Sequence, residues 1–226
     1  MHPDLRAGVR DVLPLLLGVA PFALVAGIAA VEAGLTPVQA VGMSVVVFAG
    51  ASQLAALELI GANAPLAVVV ATAIVINLRM LMYSASIAPH FAHLGRRVRA
   101  TLAYLLTDQA YALSIAEYTD TDRDERDRRR YYLGVAGSLW AVWVVGTVAG
   151  IALGAGVPES WGLSFAVPLV FLALLVPAMK DRPTIVAGVV GGAVAVVAAG
   201  APLNLGLLAG AVSGIVAGLL AERRHR

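Results

Sequence analysis

Six stretches of 20 or more residues carry no charged side chain: 12–31, 33–57, 59–78, 131–158, 160–179 and 183–221. Runs of 20 or more match the roughly 20 helical residues that cross a hydrocarbon core of about 30 Å. Apolar positions are continuous along them rather than alternating, which argues against barrel strands. Lipid satisfies no backbone hydrogen bond, so the runs predict helices.

The pattern divides into eight segments: about 12–31, 37–59, 65–83, 99–117, 131–153 and 161–179, with two more inside 183–221. Pro14 and Pro21 fall within the first. The second starts at Thr36-Pro37, a hydroxyl cap followed by a first-turn proline. The fourth is the weakest, because Asp108 halves its apolar run. Pro158 marks the turn between the fifth and sixth. The final run has 39 residues and would reach about 58 Å as one helix, nearly two bilayers. Gly200-Ala-Pro-Leu-Asn204 near its centre therefore predicts a hairpin. Between the fourth and fifth segments, Asp120 to Arg130 alternates acids with arginines and reads as a solvated loop, or as a regulatory or partner-binding one.

These segments describe an all-α, polytopic membrane protein with about 7–8 transmembrane helices in one integral membrane domain, 1–226. Halves of about 8–118 and 131–221 would fit a duplicated three-helix unit. Gly42-Met-Ser44 and Gly162-Leu-Ser164, each shortly after a proline turn, carry that expectation. With the N-terminus inside, twelve lysines and arginines fall on the inner side and three, Arg96, Arg97 and Arg99, outside, against the inward bias of basic residues. A half-spanning segment among helices two to four would make seven crossings and relocate them.

Composition adds little to the class but removes alternatives. Of 226 residues, 60% are apolar and 13% charged, against about 45–50% and 25% in soluble domains. A net charge of +2 does not suggest nucleic-acid binding. The absence of cysteine removes disulfides, thiolate metal sites and cysteine nucleophiles. The four histidines, His2, His90, His93 and His225, gather no acids around them. No phosphate-binding glycine loop or serine elbow occurs. The reading is therefore not an enzyme, with no metal and no cofactor.

Two charges lie well inside the apolar stretches: Arg79 and Asp108. A charge at mid-bilayer costs on the order of 2.5–3.5 kcal/mol, so each is a candidate functional group. Arginine offers a planar fork for a carboxylate, or snorkels to the headgroups. Asp108 shares a 3, 4, 3 spacing with Thr101, Tyr104 and Tyr111, one face of a regular helix. It would bind an ammonium, carry a proton, pair with Arg79, or simply sit in water. Asn77 and Arg79 point about 200° apart on a regular helix, so one ligand reaches both only where the backbone bends. Ser52 and Gln53, after Gly50-Ala51, supply hydrogen bonds to another helix or to a ligand. Pro21 frees the carbonyl near Leu17, as a packed kink or as a ligand contact. Pro168 and Pro177 invite the same alternatives.

Gly18-Val-Ala-Pro-Phe22, Phe48-Ala-Gly-Ala-Ser-Gln53, Ile76-Asn-Leu-Arg79 with Tyr83-Ser84, and Leu106-Thr-Asp-Gln109 occur in the order and spacing of the AzlC-type branched-chain amino acid exporters. The chain resembles that family over about residues 8–220, with one departure, Gln109 where an acid is expected. The resemblance implies export of valine, leucine, isoleucine or other small apolar amino acids across a bacterial cytoplasmic membrane by a multi-pass protein. It also implies work with a small, separately encoded AzlD-type membrane protein.

The combined expectation is a secondary transporter coupled to protons. Arg79, Asn77, Gln53, Ser52, Asp108 and Pro21 would be substrate-binding, and Asp108 the proton carrier. Its surroundings would be the lipid bilayer, with self-association as a further option. A channel or permease for another solute, or a non-transporting subunit that assembles a partner, are the alternatives.

Overall fold

The computed structural model describes residues 1–119, 126–156, 179, 181–200 and 205–223. The predicted sixth helix, with Pro158, Gly162-Leu-Ser164, Pro168 and Pro177, lies outside them, as do most of the acidic-arginine loop and residues 201–204. The chain forms two compact units, Met1–Val167 and Pro168–Arg226. No strand occurs among the described residues.

In the first unit two long helices make the frame: α1, Pro3–Glu32, and α8, Arg128–Gly156. Neither Pro14 nor Pro21 interrupts α1. The two pack side by side and parallel, because their contacts advance together, Gly134 on Leu5, Gly146 on Ala23 and Gly154 on Ile28. Glycine makes this approach feasible: a methyl on Gly150 would collide with the Leu24 carbonyl, and one on Gly27 with the Thr147 carbonyl. Small residues serve this purpose between membrane helices, where apolar side chains gain nothing over lipid.

The segments between α1 and α8 are built from half-length helices. The second segment is two pieces, α2 (Pro37–Val47) and α3 (Gly50–Gly61). Thr36 and Gln39 cap α2 reciprocally. Phe48 then takes a left-handed conformation with φ 36° and ψ 48°, and Ala49 is extended. This reverses the chain. Gln53 Nε2 donates to Ser44 Oγ at 2.6 Å, whereas nine residues along a straight helix span about 13.5 Å. Gly61 returns beside Ala33, the end from which α2 departed. A predicted spanning helix is thus a re-entrant hairpin, each arm about 16–18 Å long, roughly half a bilayer.

The third segment does cross. Its parts are α4 (Leu66–Asn77) and α5 (Arg79–Ile87), followed by a 3-10 turn over Ala88–Phe91. An irregular turn at Leu78 separates them, with Leu78 N bonded to Val75 O at 3.2 Å instead of the residue four back. The far limit reaches the start of α8, where His90 Nδ1 meets Arg128 Nη1 at 3.0 Å.

A second re-entrant hairpin enters from that opposite end. It comprises α6 (Arg96–Tyr104) and α7 (Asp108–Thr119), broken over 105–107. Tyr132 Oη donates to Leu102 O on the way in, and Tyr118 Oη to Arg128 O on the way out. The break also corrects the predicted single face: Thr101 and Tyr104 lie on α6, Asp108 and Tyr111 on α7. The described residues of this unit therefore form three full-length passes and two hairpins that enter from opposite ends. Three helices here, Pro3–Glu32, Leu66–Phe91 and Arg128–Gly154, are long and apolar enough to span a membrane.

The second unit contains α9, Arg182–Val197, and α10, Leu205–Arg223. Asp181 caps α9, and the Thr184 amide and hydroxyl hold its carboxyl below the usual carboxylate range. The helices pack antiparallel through glycines, Gly214 on Ala187 and Gly206 on Ala198. The 39-residue run does fold back, as its length requires.

Candidate functional site

Both hairpin tips and the irregular turn at Leu78 meet in the middle of the first unit, around a cavity of about 190 Å³. Phe48, Ala49, Gly50 and Ala51 line it from one tip, Thr107, Asp108 and Gln109 from the other, and Arg79 and Met80 from the crossing between them. Val19 and Phe22 of α1 and Leu139 and Trp143 of α8 supply an apolar wall. Non-helical backbone is tolerated at membrane depth only where protein buries it or a cavity hydrates it, and both hairpin tips meet that condition here.

Three helices start at this cavity: α3 at Gly50, α5 at Arg79 and α7 at Asp108. Helix N-termini present amides and a partial positive charge, which suits an anionic group. Gly50 leaves the two rings room, since a Cβ there would stand 2.6 Å from Phe22 Cε1 and 2.8 Å from Trp143 Cη2 and force one of them to shift. Phe48 is a strained neighbour, a bulky residue with positive φ, its ring 6.1 Å from that of Tyr104 on the other tip. Tyr104 Oη donates to the Val45 carbonyl and accepts from Trp140 Nε1, which ties the two tips together.

Arg79 Nη1 and Asp108 Oδ2 form an ion pair of 2.7 Å, each side chain 37% exposed. Arg79 thus reaches toward the other hairpin tip and its acid. The pair leaves capacity unused: Arg79 Nε, Asp108 Oδ1 and Trp143 Nε1 are buried atoms without a hydrogen-bond partner. A buried polar atom left unsatisfied costs on the order of 1–3 kcal/mol. The cavity thus offers free donors and a free acceptor beside an apolar wall.

The remaining predicted residues surround the tip. Ser52 Oγ donates to Ala49 O at 3.0 Å and accepts from Asn77 Nδ2 at 3.0 Å. Gln53 belongs to a chain across the hairpin, Gln53 to Ser44, Ser44 to Thr147 at 3.3 Å, Thr147 to the Trp143 carbonyl at 2.8 Å. Ser52, Gln53 and Thr147 are fully buried, and neither Ser52 nor Gln53 nor Asn77 lines the cavity. Pro21 is exposed on α1; its neighbour Phe22 is the cavity residue. Sequence reasoning did not single out Phe48 or Thr107. A signal existed for the second, because a hydroxyl directly before Asp108 is an N-cap pattern, and Thr107 Oγ1 accepts from Ala110 N at 3.2 Å.

Beyond the ion pair, α5 and α7 stay zipped toward the end that holds the start of α1. Tyr83 stacks on Tyr111 at 4.6 Å, Tyr111 Oη donates to Ser86 at 2.9 Å, and His90 packs on Tyr118 at 4.9 Å. There Arg126 pairs with the buried Glu117 at 2.6 Å, and Tyr131 Oη donates to Asp11 at 3.2 Å.

Half-length helices opening onto a charged cavity inside an apolar bundle define a membrane protein of transporter-like architecture. The AzlC protein family model matches residues 14–157, more than half of the chain, and the chain belongs to that family. It is similar to the inner membrane protein YgaZ of Escherichia coli, 27% identical over 184 residues, covering 79% of this chain and 74% of that protein. An uncharacterized membrane protein of Archaeoglobus fulgidus is 31% identical over 198 residues, covering 84% of this chain and 82% of its own length. One from Helicobacter pylori strain 26695 is 27% identical over 185 residues, covering 80% and 79%. No solved structure matches the chain significantly.

Proposed function

We propose that this protein exports branched-chain or other small apolar amino acids across the bacterial cytoplasmic membrane, driven by protons. The observation that carries the reading is the Arg79–Asp108 pair, 2.7 Å apart at the meeting point of three helix starts. A zwitterionic amino acid brings the two charges that match it. The carboxylate would take the Arg79 fork and the amides at the start of α3, and the ammonium would take Asp108. The side chain would rest on Phe22, Phe48, Leu139 and Trp143. Ser52, Gln53 and Asn77 would act by holding the α2–α3 tip in place.

The pair also provides a coupling step. Arg79 and Asp108 satisfy each other when the cavity holds no substrate, and a proton on Asp108 removes that attraction and frees the fork. A protonated Asp108 cannot pair with the ammonium, so substrate and proton would compete for one carboxylate. A small AzlD-type membrane partner is part of the proposal, on the family resemblance and the apolar faces that the helices present. The test is efflux of a panel of radiolabelled amino acids from cells with and without this gene, alone and with the partner. Export of none of them, with efflux of a chemically different solute instead, would overturn the assignment.

A further inference from the structure

A second cavity lies away from the central one, between α5 with its 3-10 turn and α6. It has a volume of about 370 Å³. Ile87, Phe91, Leu102 and Leu106, all buried, form its apolar floor. Arg96 and Arg99, one turn apart at the start of α6, line it where it reaches the end of the bundle. Both arginines are exposed, with Arg97 between them, and neither pairs with an acid among the described residues.

Two unpartnered cations at the mouth of a greasy cleft match one kind of molecule, an amphiphile with an anionic head. That end of the bundle also carries the starts of α1 and α8 with their arginines, so the cleft opens where a basic interface meets lipid headgroups. We propose that the cleft is a binding site for an anionic phospholipid, with its phosphate on Arg96 and Arg99 and an acyl chain along the floor. The lipid would hold the α6 arm of the re-entrant hairpin against α5. This inference does not depend on what the central cavity transports.

The test is thermal unfolding of the purified full chain in detergent, with dioleoyl phosphatidylglycerol, dioleoyl phosphatidylcholine or inorganic phosphate added. Phosphatidylglycerol is expected to raise the midpoint by about 4 °C, the shift produced by roughly tenfold excess of a ligand over its Kd in a chain of this size. Arg96→Gln with Arg99→Gln should abolish that rise, while Arg6→Gln with Arg10→Gln, which removes equal charge elsewhere, should keep it. Ala103→Phe, filling the cleft with both arginines intact, should abolish it too. An equal rise with phosphatidylcholine means an apolar cleft alone, and an equal rise with phosphate means a free-anion site. Either result overturns the proposal, as does a rise that survives in both cleft variants.

Discussion

At the residue scale the cavity turns on two charges that pair with each other and leave Arg79 Nε and Asp108 Oδ1 without a partner. Arg79→Lys keeps the charge and loses the planar fork; Asp108→Asn keeps the shape and loses the negative charge. A charge-assisted hydrogen bond contributes about 1.5–3 kcal/mol, so each change should lower amino acid efflux roughly 10- to 100-fold at equal membrane abundance. Normal efflux from both variants would remove the pair from the mechanism. Gly50 makes a separate demand. Gly50→Ala pushes a methyl into the Phe22 and Trp143 rings, which would narrow the cavity, so efflux of the largest substrates should fall first in a competition series.

At the element scale the frame depends on backbone contact between α1 and α8, and glycines set the distance. Gly150→Ala should destabilise the protein by about 1–3 kcal/mol, the usual cost of overpacking, since the obstacle is the rigid Leu24 backbone. Gly137→Ala, on the same helix but facing open space, should be neutral or slightly stabilising because alanine is the better helix former. Unfolding of both variants in a denaturing detergent titration distinguishes a packing effect from a helix-propensity effect. The hairpins have their own logic. An arm of 11 or 12 residues is too short to cross, so its break must lie in the interior and its exposed amides become the cavity lining.

At the scale of the whole molecule, re-entry resolves a conflict over orientation. If every apolar run crossed, Arg96, Arg97 and Arg99 would oppose the other basic residues. With two hairpins they join Arg6, Arg10 and the Arg126–Arg130 cluster at one end, and no lysine or arginine lies in 32–65 at the other. The end bearing the N-terminus is therefore expected to face the cytoplasm. The chain has no cysteine, so single cysteines report directly. Ala92→Cys should react with a membrane-impermeant thiol reagent from the same side as His2→Cys, and Ala62→Cys from the opposite side. Continuous spanning helices would reverse both assignments.

Class and candidate charges were legible along the chain, since 20-residue uncharged runs have few other uses and a charge inside one is costly. Arg79, Asp108 and the likeness to the AzlC family came from local pattern alone. The sequence also marked two of the breaks, in the hydroxyl before Asp108 and the Asn77–Arg79 mismatch, without saying that the chain reverses at the first and runs on through the second. Reversal is a tertiary decision. A run of 25 uncharged residues satisfies a crossing helix and a re-entrant pair equally well by hydropathy. Only packing distinguishes them: Gln53 on Ser44, Gly61 on Ala33, and Tyr118 on the start of α8. The same packing turned Ser52 and Gln53 inward and placed Trp143, from more than thirty residues downstream of Asp108, beside the ion pair.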